Sequence, residues 1–285
     1  MQGKGDSMKI GIIGAGRAGI NMAKLFIENE HEVAFYDRSS AQLELAKSCA
    51  PKARITSVEE LIRSSQWLVL SVPDDKIAQV FSSLKLDAAT TGVIHLSGAL
   101  SASVIGELNP SIRVVGIHPI RAFASVYDDV SLFKDTYFGV EASSELFELW
   151  KAELPTIKDR MIKISEDDKA VYHAAAVMAS NYIVTVLNRS IGLYQSIGFE
   201  EDKATEIAVG LAKTALMNVG SRGVRNAQTG PLFRGDVKTI EKHLKALTGK
   251  DKEFYLALAR ATHESYQEQL TDEVKLAIKK LINEE

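Results

Sequence analysis

The sequence has little of two features that would direct it toward particular partners: it contains a single cysteine, Cys49, and no excess of either charge. One cysteine forms neither an internal disulfide nor a cysteine-based metal cage, so we expect a reducing, cytoplasmic compartment. The 34 basic and 37 acidic residues give a formal net charge of −3. Nucleic acid and anionic membranes both require a concentrated basic face, so neither is expected as a partner.

Targeting and membrane signals are also weak. Residues 1–7 contain no apolar run, and we expect them to be a disordered extension or a tag remnant rather than a signal peptide. Residues 170–187 lack Asp, Glu, Lys and Arg. Polar side chains within that stretch, such as Asn181, would be costly in a lone membrane-spanning helix. The stretch is therefore predicted to be a buried helix at the centre of a helical domain.

The six histidines show no spacing that suggests a metal site. Three of them lie among charged residues of helical segments and are expected to be exposed: His31, His243 and His263.

Short apolar runs alternate with helical segments in the first half of the chain, which predicts a doubly wound, mostly parallel sheet. The predicted strands are 9–13, 32–36, 53–56, 67–72, 92–96, 113–117, 137–140 and 161–164. From residue 165 the apolar period becomes helical and strand signals stop. The fold class is therefore α/β with an all-α domain appended. We expect the domains at 8–164 and 165–285, with a long first helix at 166–197.

A glycine-rich turn, Gly14-Ala15-Gly16-Arg17-Ala18-Gly19, follows the first predicted strand and opens a helix. In that context Gly14 can make the tight turn, Gly16 lets the backbone approach a pyrophosphate, and Gly19 permits close packing of helix on strand. The free N–H groups and the dipole of the helix would hold the phosphates. An acidic residue that binds the ribose is expected about twenty residues after this turn, and Asp37 follows the second predicted strand at that spacing. The first domain is thus predicted to be a Rossmann-type, NAD(P)-binding domain.

The residues after the second strand do not decide between NAD and NADP. Asp37 could accept hydrogen bonds from the ribose hydroxyls and would repel a 2′-phosphate, which favours NAD. Arg38 and Ser39 offer a cation and a hydroxyl that suit a 2′-phosphate, which favours NADP. A second cofactor contact is predicted at Ser71-Val72-Pro73, because ligands of such sheets bind outside the carboxyl ends of the strands.

Several segments resemble one family, the Rossmann-like proteins that carry a DUF2520 domain and are classed as NADP oxidoreductases. The matching segments are Val72-Pro73-Asp74-Asp75-Lys76-Ile77, His95-Leu96-Ser97-Gly98-Ala99-Leu100, Ile117-His118-Pro119-Ile120-Arg121-Ala122-Phe123, Tyr172-His173-Ala174-Ala175-Ala176, Ala179-Ser180-Asn181-Tyr182 and Gly230-Pro231-Leu232-Phe233-Arg234-Gly235-Asp236. The resemblance implies a helical domain similar to that of the 6-phosphogluconate dehydrogenase superfamily, which includes pyrroline-5-carboxylate and ketopantoate reductases. It also implies a site between the domains and a homodimer formed through the helical domain, and it slightly favours NADP.

One position departs from relatives within that superfamily. Hydroxyacid dehydrogenases and ketopantoate reductases place a lysine four residues before an asparagine on the long helix. If Asn181 takes the place of that asparagine, the lysine position falls on Val177. A lysine general acid is then missing, whereas imine reductases of the superfamily manage without it.

His118 is the first candidate for proton exchange, because it follows a predicted strand on the ligand side and imidazole titrates near neutral pH. A structural hydrogen bond is an equally good explanation for it. Ser97 ends its strand where it could touch nicotinamide or substrate. His173 and Asn181 are eight residues apart and predicted to share one helix face. Arg234 could bind a substrate carboxylate or pair with Asp236.

The sequence therefore supports two hypotheses about the function. The first is an NAD(P)-dependent oxidoreductase that transfers hydride to or from a small carbonyl or imine substrate, with His118, Asn181 and Ser97 at the site. The second is a non-catalytic NAD(P)-binding redox sensor or partner-binding protein, suggested by the missing lysine and the lack of a strong acid–base group of residues. Open room beside the nicotinamide would count against the sensor.

Overall fold

The structure, a computed structural model, describes residues 7–283. The chain divides into two compact units, residues 1–180 and 181–285. This division falls later than the expected domain boundary at 164/165, because the first helix beyond the sheet belongs to the first unit. Of the extension expected at residues 1–7, all but Ser7 lies outside the described residues.

The first unit contains eight strands and seven α-helices within the described residues. The strands are β1 (Lys9–Ile13), β2 (Glu32–Tyr36), β3 (Arg54–Ile55), β4 (Trp67–Leu70), β5 (Gly92–His95), β6 (Arg113–Pro119), β7 (Phe138–Glu141) and β8 (Met161–Lys163). The helices are α1 (Arg17–Glu28), α2 (Ser40–Cys49), α3 (Val58–Ser64), α4 (Asp74–Ser83), α5 (Ser103–Gly106), α6 (Ser144–Glu153) and α7 (Lys169–Ala179).

The strands form one sheet in the order β3-β2-β1-β4-β5-β6-β7-β8. Pairing is parallel except between β6 and β7, which run antiparallel. Strands β1, β4 and β5 are almost entirely buried, because helices cover both faces of the sheet and form a separate apolar core on each. The predicted α/β class with a mostly parallel sheet is confirmed. Parallel order from β1 to β6 places the loops after β1, β2, β4, β5 and β6 at one edge, where the predicted site residues lie.

The long helix predicted for 166–197 is broken at Ser180, whose φ of −129° and ψ of −74° are not helical. It consists of α7 and of α8 (Asn181–Ser196), which belong to different compact units. The prediction that His173 and Asn181 share one helix face is therefore wrong, since face periodicity holds only along an unbroken helix.

The second unit is helical throughout its described part. After α8 it contains α9 (Glu201–Ala227), α10 (Pro231–Arg234), α11 (Val237–Ala246), α12 (Gly249–Tyr266) and α13 (Asp272–Asn283). A small apolar core joins α11, α12 and α13. Helix α9 is interrupted at Gly223, where φ is 75°, a conformation that glycine adopts without strain.

Helices α8 and α9 leave most of their large apolar side chains exposed within the chain. The exposed residues include Val184, Leu211, Leu216, Met217 and Val224. Residues 169–196 are long and apolar enough to span a membrane, and none of that stretch's most apolar window is buried. The prediction of a helix buried at the centre of a domain is thus wrong for the chain taken alone.

Two of the three histidines expected to be exposed are buried. His31 contacts the Glu153 backbone carbonyl at 2.9 Å and is 7% exposed, while His263 is 8% exposed. Charged neighbours in the sequence do not fix the side of a helix or loop that a residue occupies.

Candidate functional site

The glycine-rich turn has the geometry of a phosphate cradle. Gly14 has φ +104°, and a Cβ there would lie 2.1 Å from the Ser71 carbonyl oxygen. A Cβ on Gly19 would lie 2.3 Å from the Gly14 carbonyl oxygen, so its absence lets α1 approach the strands. Gly16 is different, because a Cβ there meets no atom within 4 Å and the residue is exposed. No side chain caps the N terminus of α1 at this point of the described chain. Open space in front of an uncapped helix N terminus suits a pyrophosphate.

A cleft of about 1260 Å³ opens at this cradle. It is lined by most of the residues predicted to hold a dinucleotide: Gly14, Gly16, Arg17, Asp37, Arg38, Ser71, Val72 and Pro73. The other four stand behind this lining: Ala15 and Gly19 are buried, Ala18 packs on the core, and Ser39 caps α2. The residues present therefore fit a bound dinucleotide, which would extend from α1 toward the end of β2.

Asp37 connects the two loops of the cradle. One carboxylate oxygen accepts a hydrogen bond from the Ala15 N–H at 2.7 Å, and the other accepts one from the Ser39 N–H at 2.8 Å. The carboxylate thus has a structural task as well as a place in the cleft. Arg38 is exposed beside it, and Arg17 and Lys76 add further positive charge to the same cleft.

Ser97 is 6% exposed, and its hydroxyl is already used within the protein. It donates to Asp74 at 2.6 Å and accepts from the Leu100 N–H at 2.8 Å. These bonds hold the turn after β5 against α4. The structure therefore favours a structural role for Ser97 over the expected contact with nicotinamide or substrate.

Three glycines let α7 lie close to the carboxyl edge of the sheet. A Cβ on Gly139 would lie 2.3 Å from the hydroxyl oxygen of Tyr172, and one on Gly98 would lie 2.7 Å from the ring of His173. A Cβ on Gly116 would lie 2.8 Å from Nζ of Lys169. The polar side chains of α7 thus occupy space that larger residues on the strands would fill.

His118 is at the centre of this arrangement. Its Nδ1 lies 2.7 Å from the Tyr172 hydroxyl oxygen, and its ring centroid lies 6.0 Å from that of His173. Burial lowers the pKa of His118 to about 4, and the positive charges of His173 and Lys169 act in the same direction. Burial raises the pKa of Tyr172 to about 12. The expectation of a near-neutral pKa for His118 is therefore wrong, because half-burial beside cationic groups disfavours the imidazolium.

A buried ion pair supports the same region. Nζ of Lys169 contacts Oε2 of Glu141 at 2.5 Å, and Lys169 is 4% exposed. The other carboxylate oxygen of Glu141 accepts from the Ser101 hydroxyl at 2.7 Å and from the Ala102 N–H at 3.0 Å. These bonds attach the first turn of α7 to β7 and to the loop after β5.

Sequence reasoning missed Tyr172, Lys169 and Glu141 as members of the site. Lys169 directly precedes the uncharged stretch 170–187. A charged residue at the start of such a stretch was the one sequence signal that could have pointed to it. It stands two helical turns before Val177 on α7, so this helix does carry a lysine near the His118 side chain.

His95 on β5 is 0% exposed. Both ring nitrogens are without a hydrogen-bond partner among the described residues. Burial lowers its pKa to about 3, and the charges of Lys169 and His118 add to that effect. His95 therefore stays neutral and contributes no charge near His118.

Two further candidates lie in the second unit. Asn181 is the first residue of α8, and Arg234 is the last residue of α10. The Asp236 carboxylate caps α11 by accepting from the N–H and the hydroxyl of Thr239. These bonds, with a smaller contribution from Arg234, lower the pKa of Asp236. Asp236 thus caps α11, and its interaction with Arg234 is the weaker of the two.

Two family models match the chain. Residues 3–119 match a model described as a Rossmann-like domain, and residues 136–262 match one described as a domain of unknown function, DUF2520. Each match covers less than half of the chain, and together they span most of it. His118 lies in the Rossmann-like region, whereas Glu141, Lys169, Tyr172 and His173 lie in the DUF2520 region. The polar cluster is thus built from both regions within one compact unit.

Solved structures with the same fold span nearly the whole chain. One, from Bacteroides fragilis and provisionally named an NADP oxidoreductase, is 22% identical with a TM-score of 0.74, covering 90% of this chain and 98% of its own. A Plasmodium falciparum pyrroline carboxylate reductase with NADP bound is 14% identical, with a TM-score of 0.57 and coverages of 96% and 97%. A semialdehyde dehydrogenase NAD-binding protein from Cupriavidus necator, in complex with calcium and NAD, is 17% identical, with a TM-score of 0.60 and coverages of 96% and 99%. No curated protein sequence matches the chain.

Proposed function

We propose that this protein is an NAD(P)-dependent oxidoreductase that transfers hydride to or from a small carbonyl or imine substrate. The observation that carries the proposal is the cleft at the cradle, where Gly16 leaves open space in front of the N terminus of α1. When bound, the nicotinamide supplies or accepts the hydride. Structurally similar proteins include a pyrroline carboxylate reductase with NADP bound and a dehydrogenase-type protein with NAD bound, which supports the same class of reaction.

Different residues of the chain would bind different parts of the dinucleotide. The backbone N–H groups at the start of α1 would hold the pyrophosphate, and Ser71, Val72 and Pro73 would line the cofactor farther along the edge. NADP is the preferred nucleotide, because both oxygens of Asp37 are engaged with backbone N–H groups while Arg38 stands exposed at the cleft. A guanidinium suits a 2′-phosphate through charge-assisted hydrogen bonds.

The polar cluster favours an enzyme over a redox sensor. The sensor hypothesis was based on the missing lysine and on the lack of a strong acid–base group of residues. In the structure His118, Tyr172, Lys169 and His173 lie together near the carboxyl edge, which argues against the second of these grounds. Asn181 and Arg234, which lie in the second unit, stay predictions as substrate contacts.

Fluorescence titration of the whole protein with NADPH and with NADH tests cofactor binding directly. We expect tighter binding of NADPH, and an Arg38→Ala variant should lose about tenfold of that preference, since a charge-assisted hydrogen bond contributes about 1.5–3 kcal/mol. Arg54→Ala is the matched control, because Arg54 is exposed on β3 and outside the cleft lining. Failure of both nucleotides to bind at about a millimolar, a weak affinity by any measure, would contradict the proposed function.

We also infer that the protein is a soluble, cytoplasmic homodimer formed through α8 and α9. Contiguous exposed apolar surface of this kind marks an interaction site or a membrane contact. A lipid-facing stretch would leave polar groups such as Asn188 and Arg189 of α8 in hydrocarbon, at considerable cost. A second copy of the chain can cover the apolar side chains and leave those groups in water.

Light scattering on the purified protein tests this partner. The wild type should have twice the mass of one chain, and Leu211→Glu with Met217→Glu should shift it to the monomer. Leu276→Glu is the control, because Leu276 is equally apolar and exposed but lies on α13. A monomeric wild type, or binding to lipid vesicles in place of dimerisation, would contradict the inference.

A further inference from the structure

The hydrogen bond between Tyr172 and His118 has a defined direction. The phenol must stay protonated at neutral pH, because burial raises its pKa. The backbone N–H of Gly139 also bonds the phenol oxygen, so the phenol's own hydrogen is left for Nδ1 of His118, which lies 2.7 Å away. We therefore assign Tyr172 as the donor and Nδ1 as the acceptor. In a neutral imidazole the proton must then be on the other nitrogen, Nε2.

Nε2 is the second nitrogen of the His118 ring, and Nδ1 is the one that contacts Tyr172. A Cβ on Gly98 would lie 2.9 Å from it, so Nε2 faces the loop that follows β5 at the carboxyl edge. The buried side-chain nitrogens without a partner include both of His95 and neither of His118 within the described chain. His118 as a whole is half-buried, and no hydrogen bond to a described residue occupies its Nε2.

We propose that Tyr172 holds His118 as a neutral imidazole with its proton on Nε2, and that the pair forms a relay which delivers that proton to the oxygen of a carbonyl substrate. The inference rests on the proposed function and narrows its substrate class to aldehydes and ketones, or the matching alcohols in the reverse direction. A protonated iminium has no lone pair to accept from Nε2–H, so the site does not favour it.

The proposed proton transfer does not require a charged histidine. A carbonyl carbon that gains a hydride from the reduced nicotinamide shifts its π electron pair to oxygen, and the resulting alkoxide is a stronger base than phenolate. The alkoxide takes the Nε2 proton of His118 while Nδ1 takes the phenolic proton of Tyr172. The products are the alcohol and the oxidised nicotinamide, and the tyrosinate regains its proton from solvent.

The surroundings keep His118 neutral. The groups that face it are His95 on β5, Asp74 on α4, and Lys169, Tyr172 and His173 on α7. Of these, Asp74 alone favours the imidazolium, and its carboxylate is engaged with the Ser97 hydroxyl. Tyr172 is therefore a positioning residue that also supplies a proton, and His118 is the residue that touches substrate.

Nitrogen NMR of the full chain, labelled in histidine and free of cofactor, tests the relay separately from the proposed function. We expect the His118 signal to show a neutral ring with hydrogen on Nε2 from neutral pH down to about pH 4. Tyr172→Phe should produce a mixture of tautomers, whereas Tyr127→Phe, which alters an exposed tyrosine, should not. Gly139→Ala should act like Tyr172→Phe, because its methyl group displaces the phenol while leaving it chemically intact.

The rate of carbonyl reduction provides a second measurement. With the relay, kcat for carbonyl reduction should vary little between pH 6 and 8, and Tyr172→Phe should lower it by about a hundredfold or more, as expected for loss of an acid, with little change in NADPH affinity. Hydrogen on Nδ1, a charged ring at pH 7, or an unchanged tautomer in both the Tyr172→Phe and Gly139→Ala variants would overturn the proposal. Faster reduction of a permanently charged iminium than of ketones would overturn the substrate class. Loss of nucleotide binding alone would instead contradict the proposed function and leave the NMR result standing.

Discussion

The two buried histidines make the stability of the first unit depend on pH. His95 and His118 have pKa values lowered to about 3 and about 4 from an ordinary 6.5. Between those values and 6.5 the unfolded chain binds more protons than the folded chain. The two neutral histidines therefore make their full contribution to the free energy of unfolding above about pH 6.5. This contribution is lost as the pH falls from 6.5 toward the pKa values of the folded state.

The size of the loss follows from the pKa difference. At pH 5 each histidine is 1.5 units below its unfolded pKa of 6.5, which corresponds to about 2 kcal/mol per residue at 1.36 kcal/mol per unit. Lowering the pH from 7 to 5 should thus remove about 4 kcal/mol from the free energy of unfolding. The carboxylates whose pKa is lowered, such as Glu166 and Asp129, start from 4.5 or less and contribute little above pH 5.

Urea unfolding followed by tryptophan fluorescence measures this loss for the first unit alone. The sequence has two tryptophans, Trp67 and Trp150, and both are buried in that unit with their rings 5.1 Å apart. His95→Leu should lose about half of the pH dependence and should not be destabilised at pH 7, because it removes ring nitrogens that have no partner. Equal stability of the wild type at pH 7 and pH 5, or a full pH dependence in His95→Leu, would refute the reasoning.

Two further predictions concern the cradle and the buried ion pair. Gly16→Ala should leave stability within about 1 kcal/mol but weaken NADPH binding tenfold or more in fluorescence titration, because its methyl group enters the open space of the cradle. Gly14→Ala should instead lose about 1–3 kcal/mol from backbone strain alone, and equal stability of the two variants would contradict this interpretation. Lys169→Met should lower the free energy of unfolding by about 3–5 kcal/mol by leaving Glu141 buried without its counter-charge. Adding Glu141→Met should restore most of that loss in the same urea assay, and a double variant as unstable as Lys169→Met would argue against a charge effect.

The secondary structure of the first unit could be predicted closely because its signals are local. Strands β1 and β2 have the predicted bounds, 9–13 and 32–36. Strand β4 stops at Leu70, two residues before its predicted end and before the loop that contains Pro73. The cradle could be predicted for the same reason, since a turn, a helix start and an acidic residue recur at fixed spacing.

The polar cluster around His118 could not be predicted in this way. His118 and Tyr172 are 54 residues apart in the chain, and Lys169 and Glu141 are 28 apart. These pairs meet because β7 runs antiparallel beside β6 and because glycines on three strands or loops admit α7. Neither the reversal of a strand nor the approach of a helix leaves a periodic pattern in the sequence.

The sequence by itself determined the α/β class, the positions of the strands and the residues of the cradle, because apolar periodicity and turn chemistry act over a few neighbouring residues. Only the tertiary structure decided the break at Ser180, the burial of His95 and Lys169, and the neutral state of His118. Those properties depend on which distant groups desolvate or face a side chain, and an ionisable group responds to that surrounding rather than to its neighbours along the chain.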